Sequence, residues 1–460
     1  MRYVSTRGQA PVLNFEQAML TGLARDGGLY LPETVPAIDD LAAFEGLTYE
    51  EAAFRVIAPF LGESFSADEL RGAIARAYGS FGHVARAPLV QLAPGHHLLE
   101  LFHGPTLAFK DFAMQLIGQL FQIALERSGQ RVTIVGATSG DTGSAAIEAF
   151  RGLTNVDVFI MYPHGRVSEV QRRQMTTPDD ANVHALAVDG HFDDCQARLK
   201  DLFNDHHFRD QVGLAGVNSI NWGRVLAQIV YYVTAAASLG APFRSVDVTV
   251  PTGNFGDIFA GSIARQMGVP IRRLVAATNQ NDILHRALTT GEHRLGQVHP
   301  SISPSMDIQV SSNFERALYL AYDQDAAAIR QLMEELKSGG FTISQGALQA
   351  LGEHYASGRA SEDETMAMMT TVRDETGQIV CPHTAVAIKV AREFLEPGVP
   401  MITLATAHPA KFPDAVEQAV GIRPALPPHM AALFDLPERI SRVENDAQAI
   451  KSLILERRTA

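Results

Sequence analysis

From about residue 130 onward, short β-branched and apolar runs alternate with longer stretches of helix formers, and few architectures accept that pattern. The runs at 132–135, 156–161, 183–188, 246–250, 274–278 and 401–405 have the length and composition of buried strands. Between them, 112–126, 192–203, 225–238 and 326–337 are predicted helices. Parallel strands need crossovers long enough to hold a helix. The alternation therefore predicts an α/β fold with largely parallel sheets and helices on both faces. Residues 1–90 differ and are mainly helical in character, with good helix formers at 49–60 and 67–78. Ser66, followed by Ala67-Asp68-Glu69, has the form of a helix N-cap with acids in the first turn. Pro88 and Pro94-Gly95 mark a boundary. The expected organisation is a helical N-terminal domain at 1–90, an α/β core at 91–425 with a smaller subdomain at roughly 130–230, and a helical appendage at 426–460.

Hydrophobic residues make up 46% of the 460 and charged residues 19%, enough to bury a large core. The 38 basic and 51 acidic side chains give a net charge of −13, which argues against a nucleic-acid partner. Cys195 and Cys381 form neither a disulfide framework nor a zinc pair and are expected to be buried packing thiols. The start, Met1-Arg2-Tyr3-Val4-Ser5-Thr6, has no apolar core of a secretory signal, and no run approaches the ~18 apolar residues of a membrane helix. A cytoplasmic protein, monomeric or homodimeric, with no membrane partner and no metal, is the expectation.

Three segments have the strand–loop–helix context in which α/β sheets collect ligands. In Gly136-Ala137-Thr138-Ser139-Gly140-Asp141-Thr142-Gly143-Ser144, small residues and hydroxyls sit where a strand meets a helix. This is either a cradle for a small anion such as a carboxylate or a capped tight turn. In Thr252-Gly253-Asn254-Phe255-Gly256-Asp257, two glycines allow close backbone approach at a helix start, as a phosphate requires. Asp257 would there lend its backbone N–H and turn its carboxylate away. The spacing is neither a Walker nor a dinucleotide fingerprint. In Ala108-Phe109-Lys110-Asp111-Phe112, a lysine lies between Phe109 and an apolar helix start. It is either a desolvated amine nucleophile or a snorkelling surface residue.

Together the segments resemble a known fold family. Ala108-Phe109-Lys110-Asp111 resembles the Schiff-base motif of fold type II pyridoxal 5'-phosphate (PLP) enzymes, which are tryptophan synthase β-like in architecture. Thr138–Gly143 is similar to that fold's substrate-carboxylate loop and Gly253–Asp257 to its cofactor-phosphate loop, in the same chain order. The chain further resembles the threonine synthase family in its longer bacterial and fungal form. Tyr3-Val4-Ser5-Thr6-Arg7-Gly8, Asp26-Gly27-Gly28-Leu29-Tyr30, His103-Gly104-Pro105-Thr106, Pro382-His383-Thr384 and Thr406-Ala407-His408-Pro409-Ala410-Lys411-Phe412 carry that likeness. It spans residues 2 to about 415. Asp141 departs from the wider fold, which often has Asn there.

The resemblance implies conversion of O-phospho-L-homoserine and water to L-threonine and phosphate. It implies Lys110 as the catalytic, cofactor-linked lysine. It gives cofactor contacts to Gly253, Asn254, Phe255, Gly256, Asp257, Asp141 and, at the pyridine nitrogen, Thr406. Substrate contacts fall to Thr138, Ser139, Gly140 and Thr142. The substrate phosphate needs a second anion site, for which Arg166 is preferred over Lys411, Arg172, Ser168 and the 311–316 turn. His103, His383 and His408 are expected as hydrogen-bonded core histidines, and Met306, Phe109 and Phe255 as apolar walls. The rival readings are a phospho-lyase releasing 2-oxobutyrate and a non-catalytic protein on the same scaffold.

Overall fold

The computed structural model describes residues 1–459. Two sheets organise it. One has six strands in the order Tyr355–Arg359, Ile271–Thr278, Val246–Pro251, Met401–Ala405, His96–Glu100 and Leu89–Ala93. All its pairings are parallel except that of Leu89–Ala93 with His96–Glu100. The other has five parallel strands in the order Ser441–Val443, Val183–Val188, Val156–Pro163, Val132–Ala137 and Leu214–Ala215. Every residue of Val132–Ala137 and Val156–Pro163 is buried, as strands covered by helices on both faces must be.

The helix Trp222–Ser238 is apolar on nearly every side and packs against Tyr49–Leu61, Lys110–Ser128 and Gly256–Gln266. One apolar core runs from Tyr3 and Phe15 through Trp222 to Ile134 of the five-stranded sheet and Val248 of the six-stranded one. The N-terminal stretch has three α-helices, Phe15–Thr21, Tyr49–Leu61 and Ala67–Gly79, with a small antiparallel pair, Tyr3–Ser5 and Tyr30–Pro32. Ser66 caps Ala67–Gly79 through a reciprocal pairing with Glu69.

Two segments differ from expectation. Pro94-Gly95 turns one strand of a hairpin into the next, with Gly95 at φ 75°. The segment after residue 425 is not wholly helical: Ser441–Val443 extends the five-stranded sheet beside Val183–Val188 before the helix Ala447–Arg457 packs beneath it. No helix among the described residues is long and apolar enough to cross a membrane.

Candidate active site

The carboxyl ends of the two sheets border one cavity of about 360 Å³. Lys110, the first residue of Lys110–Ser128, lies in its wall and is 8% exposed. The loop before it is tied from within. Asp111 accepts from Thr106 N at 2.8 Å and Thr106 Oγ1 at 2.6 Å, and Phe109 N donates to Thr406 O at 2.9 Å. These bonds leave Lys110 facing the cavity. Its Nζ stands 4.5 Å from the centre of the Phe109 ring and 3.4 Å from Asp141 Oδ2. Burial pushes the amine below the ordinary lysine range; Asp141 opposes that, and Arg224 and Lys411 reinforce it.

Asp141 opens the helix Asp141–Phe150 and is held from two sides. Lys411 Nζ lies 3.0 Å from its Oδ1, and Gln171 Nε2 donates to the same oxygen at 2.9 Å. Burial alone would raise this carboxyl, but Lys411, then Lys110, His383 and Gln171 hold it well below the carboxylate range. Thr138, Ser139 and Thr142 line the cavity beside it. Thr138 Oγ1 is occupied within the loop, accepting from Gly140 N and Gly143 N at 2.9 Å each. The first N–H groups of the helix have no intrahelical partner. Gly140 lies behind the cavity wall. Its φ of 134° and the 2.3 Å gap between a would-be Cβ and Gln171 make it a turn residue that only glycine can fill.

Across the cavity, Gly253, Asn254, Phe255, Gly256 and Asp257 all line the wall at the start of Gly256–Gln266. Phe255 takes a left-handed conformation, φ 63°, which turns the backbone into the helix. Asp257 directs its carboxylate away from that helix end: Oδ1 accepts from Tyr231 at 2.5 Å and Tyr232 at 2.9 Å. Burial pushes it up to about 6 despite those bonds. Thr406, just past Met401–Ala405, completes the ring with Met306 and His383. Ser305 N donates to His383 Nε2 at 3.3 Å, and burial lowers that imidazole to about 4.

The candidates for a second anion site scatter. Arg166, the preferred candidate, is exposed and outside the cavity, on a surface turn. Arg172 pairs with Glu438, Arg316 with backbone carbonyls, Ser168 with the Lys411 carbonyl, and Lys411 with Asp141. Arg224, not named from sequence, lines the cavity at 4% exposure. Among the described residues its Nε and Nη1 have no hydrogen-bond partner. Burial pushes it down to about 10, with Tyr231 and Asp257 opposing. A buried guanidinium left so is costly unless an anion meets it. Its signal was available: it is the one charged residue of the helix Trp222–Ser238.

Residues 2–78 match the family model for the threonine synthase N terminus, 81–406 that for PLP-dependent enzymes, and 384–454 that for the threonine synthase C-terminal region. The threonine synthase of Pseudomonas aeruginosa is 50% identical, over 99% of this chain and 98% of its own. The chain belongs to the threonine synthase family. The crystal structure of PLP-bound threonine synthase from Brucella melitensis matches with a TM-score of 0.97 and 52% identity over 100% of both chains. That from Escherichia coli matches with a TM-score of 0.87 and 33% identity, again over 100% of both. As a member of the threonine synthase family and of the PLP-dependent enzymes, the chain has PLP as its cofactor and acts on a small molecule. Its cavity fits that group: a buried amine, a phosphate-sized backbone turn at a helix start and a strand-end hydroxyl surround one space.

Proposed function

We propose that the chain converts O-phospho-L-homoserine and water to L-threonine and phosphate, with Lys110 as its covalently linked lysine. The observation that carries the reading is the buried Lys110 amine facing a cavity bordered by two further helix N-termini, Asp141–Phe150 and Gly256–Gln266. When bound, PLP supplies an aldehyde for linkage to Lys110 Nζ and a ring that withdraws electrons from the substrate.

Gly253, Asn254, Phe255 and Gly256 would hold the cofactor phosphate through backbone N–H groups, and Asp257 would add its own N–H. Thr406 would meet the pyridine nitrogen with a neutral hydroxyl, which does not force a proton there. Asp141 Oδ2 would face the phenolic oxygen. The loop of Thr138, Ser139, Gly140 and Thr142 would take the substrate carboxylate, with Gly140 shaping the turn. Arg224, in place of Arg166, would meet the substrate phosphate. Lys110 Nζ, when not linked, would accept the proton from Cα and could return protons on the same face. The net change is loss of phosphate from Cγ and gain of water at Cβ.

We read residues 1–90, 91–425 and 426–460 as N-terminal domain, catalytic core and C-terminal appendage of a cytoplasmic enzyme, monomeric or homodimeric. The net charge of −13 supports a protein without a nucleic-acid partner.

Incubation with O-phosphohomoserine and identification of the organic product tests the reaction. Threonine released in step with phosphate supports it, and mainly 2-oxobutyrate makes the chain a phospho-lyase instead. Borohydride trapping and peptide mapping test the linkage, with the label expected on Lys110 and absent from Lys110→Ala.

A further inference from the structure

Beneath the cavity wall lies a chain of charges that the reaction as written does not use. Lys411 sits at the end of the short turn Pro409–Lys411 and is 0% exposed. Its Nζ donates to Thr106 O at 2.7 Å and Ser144 Oγ at 3.5 Å and forms an ion pair with Asp141 Oδ1 at 3.0 Å. It does not line the cavity. Gln171 shares Asp141 Oδ1, and its own orientation is set by the Ser168 cap, whose N–H donates to Gln171 Oε1 at 3.2 Å. One oxygen of Asp141 is thus engaged from behind, while the other turns to Lys110 at 3.4 Å.

A carboxylate beside a lysine ordinarily holds that lysine as an ammonium ion, which has no lone pair to offer Cα. Here the same carboxylate also faces a second lysine. We propose that Lys411 is a positioning residue for the reaction: its buried ammonium neutralises Asp141 from the side away from the cavity and so leaves Lys110 able to act as an uncharged amine. The inference rests on Lys110 being the linked lysine.

Charged and titratable groups from every neighbouring element enter the balance. His383 faces Asp141 from Pro382–Ala391, and Cys381 precedes that helix. Arg224 faces Lys110 from Trp222–Ser238, and Asp257 does so from Gly256–Gln266. Asp111, which burial pushes up to about 6, faces Lys411 from Lys110–Ser128. Arg224 disfavours a further cation at Lys110, while Asp257 favours one. Lys411 is the group placed to offset Asp141 directly.

The experiment uses the full-length enzyme stripped of cofactor and follows the rate at which Lys110 links to added PLP as pH is varied. Only the unprotonated amine reacts, so the midpoint of the profile reports Lys110. Lys411→Met is expected to raise that midpoint by about one pH unit or more, and Lys411→Arg to restore it. In turnover, Lys411→Met should lower kcat at neutral pH, recover it as pH rises, and leave KM near its original value. Should Lys411→Met not fold, Asp141→Asn tests the same balance from the other side: with Lys411 unopposed, the midpoint must fall. A midpoint unmoved or lowered in folded Lys411→Met, or unmoved or raised in Asp141→Asn, overturns the proposal. Failure of the prior reading is seen separately, as a borohydride label on another residue in the unaltered enzyme.

Discussion

Arg316 Nη2 donates to the carbonyl oxygen of Tyr30 at 2.6 Å, across 286 residues of chain. The same guanidinium reaches Ile220 O at 2.6 Å and the side chain of Asn313. Asn313 in turn donates to Ser219 O at 2.9 Å and Asn254 O at 3.1 Å. One fully buried cation therefore ties the N-terminal strand to the segment before Arg224 and, through Asn313, to the loop at Asn254. Burial pushes Arg316 down to about 9, so its carbonyl partners must repay a large desolvation cost. Arg316→Met would strand the carbonyl of Tyr30 in the core and leave that of Ile220, beside the cavity, without its donor. The loss is expected to be on the order of 3 kcal/mol, read from urea unfolding of the cofactor-free enzyme. A loss below ~1 kcal/mol would mean that the clamp contributes little to stability.

Arg224 is expected to govern substrate affinity. Its Nε and Nη1 are buried without a partner among the described residues, and a phosphate would provide charge-assisted bonds. Arg224→Met should raise KM for O-phosphohomoserine by roughly 10- to 100-fold, the equivalent of about 1.5–3 kcal/mol. Inhibition by inorganic phosphate should weaken in parallel, and Arg224→Lys should recover part of both. Steady-state kinetics at fixed ionic strength decide it. An unchanged KM and unchanged phosphate inhibition would move the substrate phosphate elsewhere.

What could be foreseen from sequence was local, and what could not was tertiary. The strand at 183–188 and the cap at Ser66 carry their own signals within a few residues, and both form. Tyr355–Arg359 carries none: Ala356, Ser357 and Gly358 are poor strand formers, and the segment is extended because it pairs with Ile271–Thr278. Gly358 is needed there, since a Cβ would lie 2.7 Å from a Val390 methyl. The same division runs through the site. Lys110 and the loops around Ser139 and Gly256 stand out because chain-adjacent residues build each of them. Lys411 stood in the sequence only as a lesser candidate for the second anion site, yet its role depends on Asp141, 270 positions earlier, being folded against it. Arg166 was the preferred candidate and lies on the surface.

Gly253 offers a test of the proposed phosphate turn. A Cβ added there would sit 2.5 Å from the carbonyl oxygen of Ser305, a backbone atom that cannot rotate aside. Gly253→Ala must therefore displace the 253–257 turn or the 304–306 segment, both of which line the cavity. Cofactor affinity should fall at least about tenfold, roughly 1.4 kcal/mol, in a fluorescence titration of the cofactor-free enzyme. Gly79→Ala, where a Cβ meets nothing within 4 Å, is the control and should leave affinity unchanged. Equal affinity in both variants would place the cofactor phosphate away from this turn.

Asp257 should make stability depend on pH in an identifiable direction. Its carboxyl is buried, with the pKa pushed up to about 6 by desolvation while Tyr231, Tyr232, Lys110 and Arg224 oppose the rise. In the unfolded chain an aspartate titrates near ~3.9. Between these values the folded state binds the proton more tightly. Its contribution is therefore fully present below about pH 4 and is lost as pH climbs through 6. A gap of about two pH units corresponds to roughly 3 kcal/mol at most. Asp257→Asn keeps the shape and removes the ionisation, and other titrating groups largely cancel when variant and parent are compared. The stability of Asp257→Asn relative to the parent should thus improve by up to ~3 kcal/mol between pH 4 and 7, measured by urea unfolding without cofactor. A flat difference across that range would mean that Asp257 ionises as readily inside the fold as outside it, with its two tyrosines and two cations offsetting the whole cost of burial.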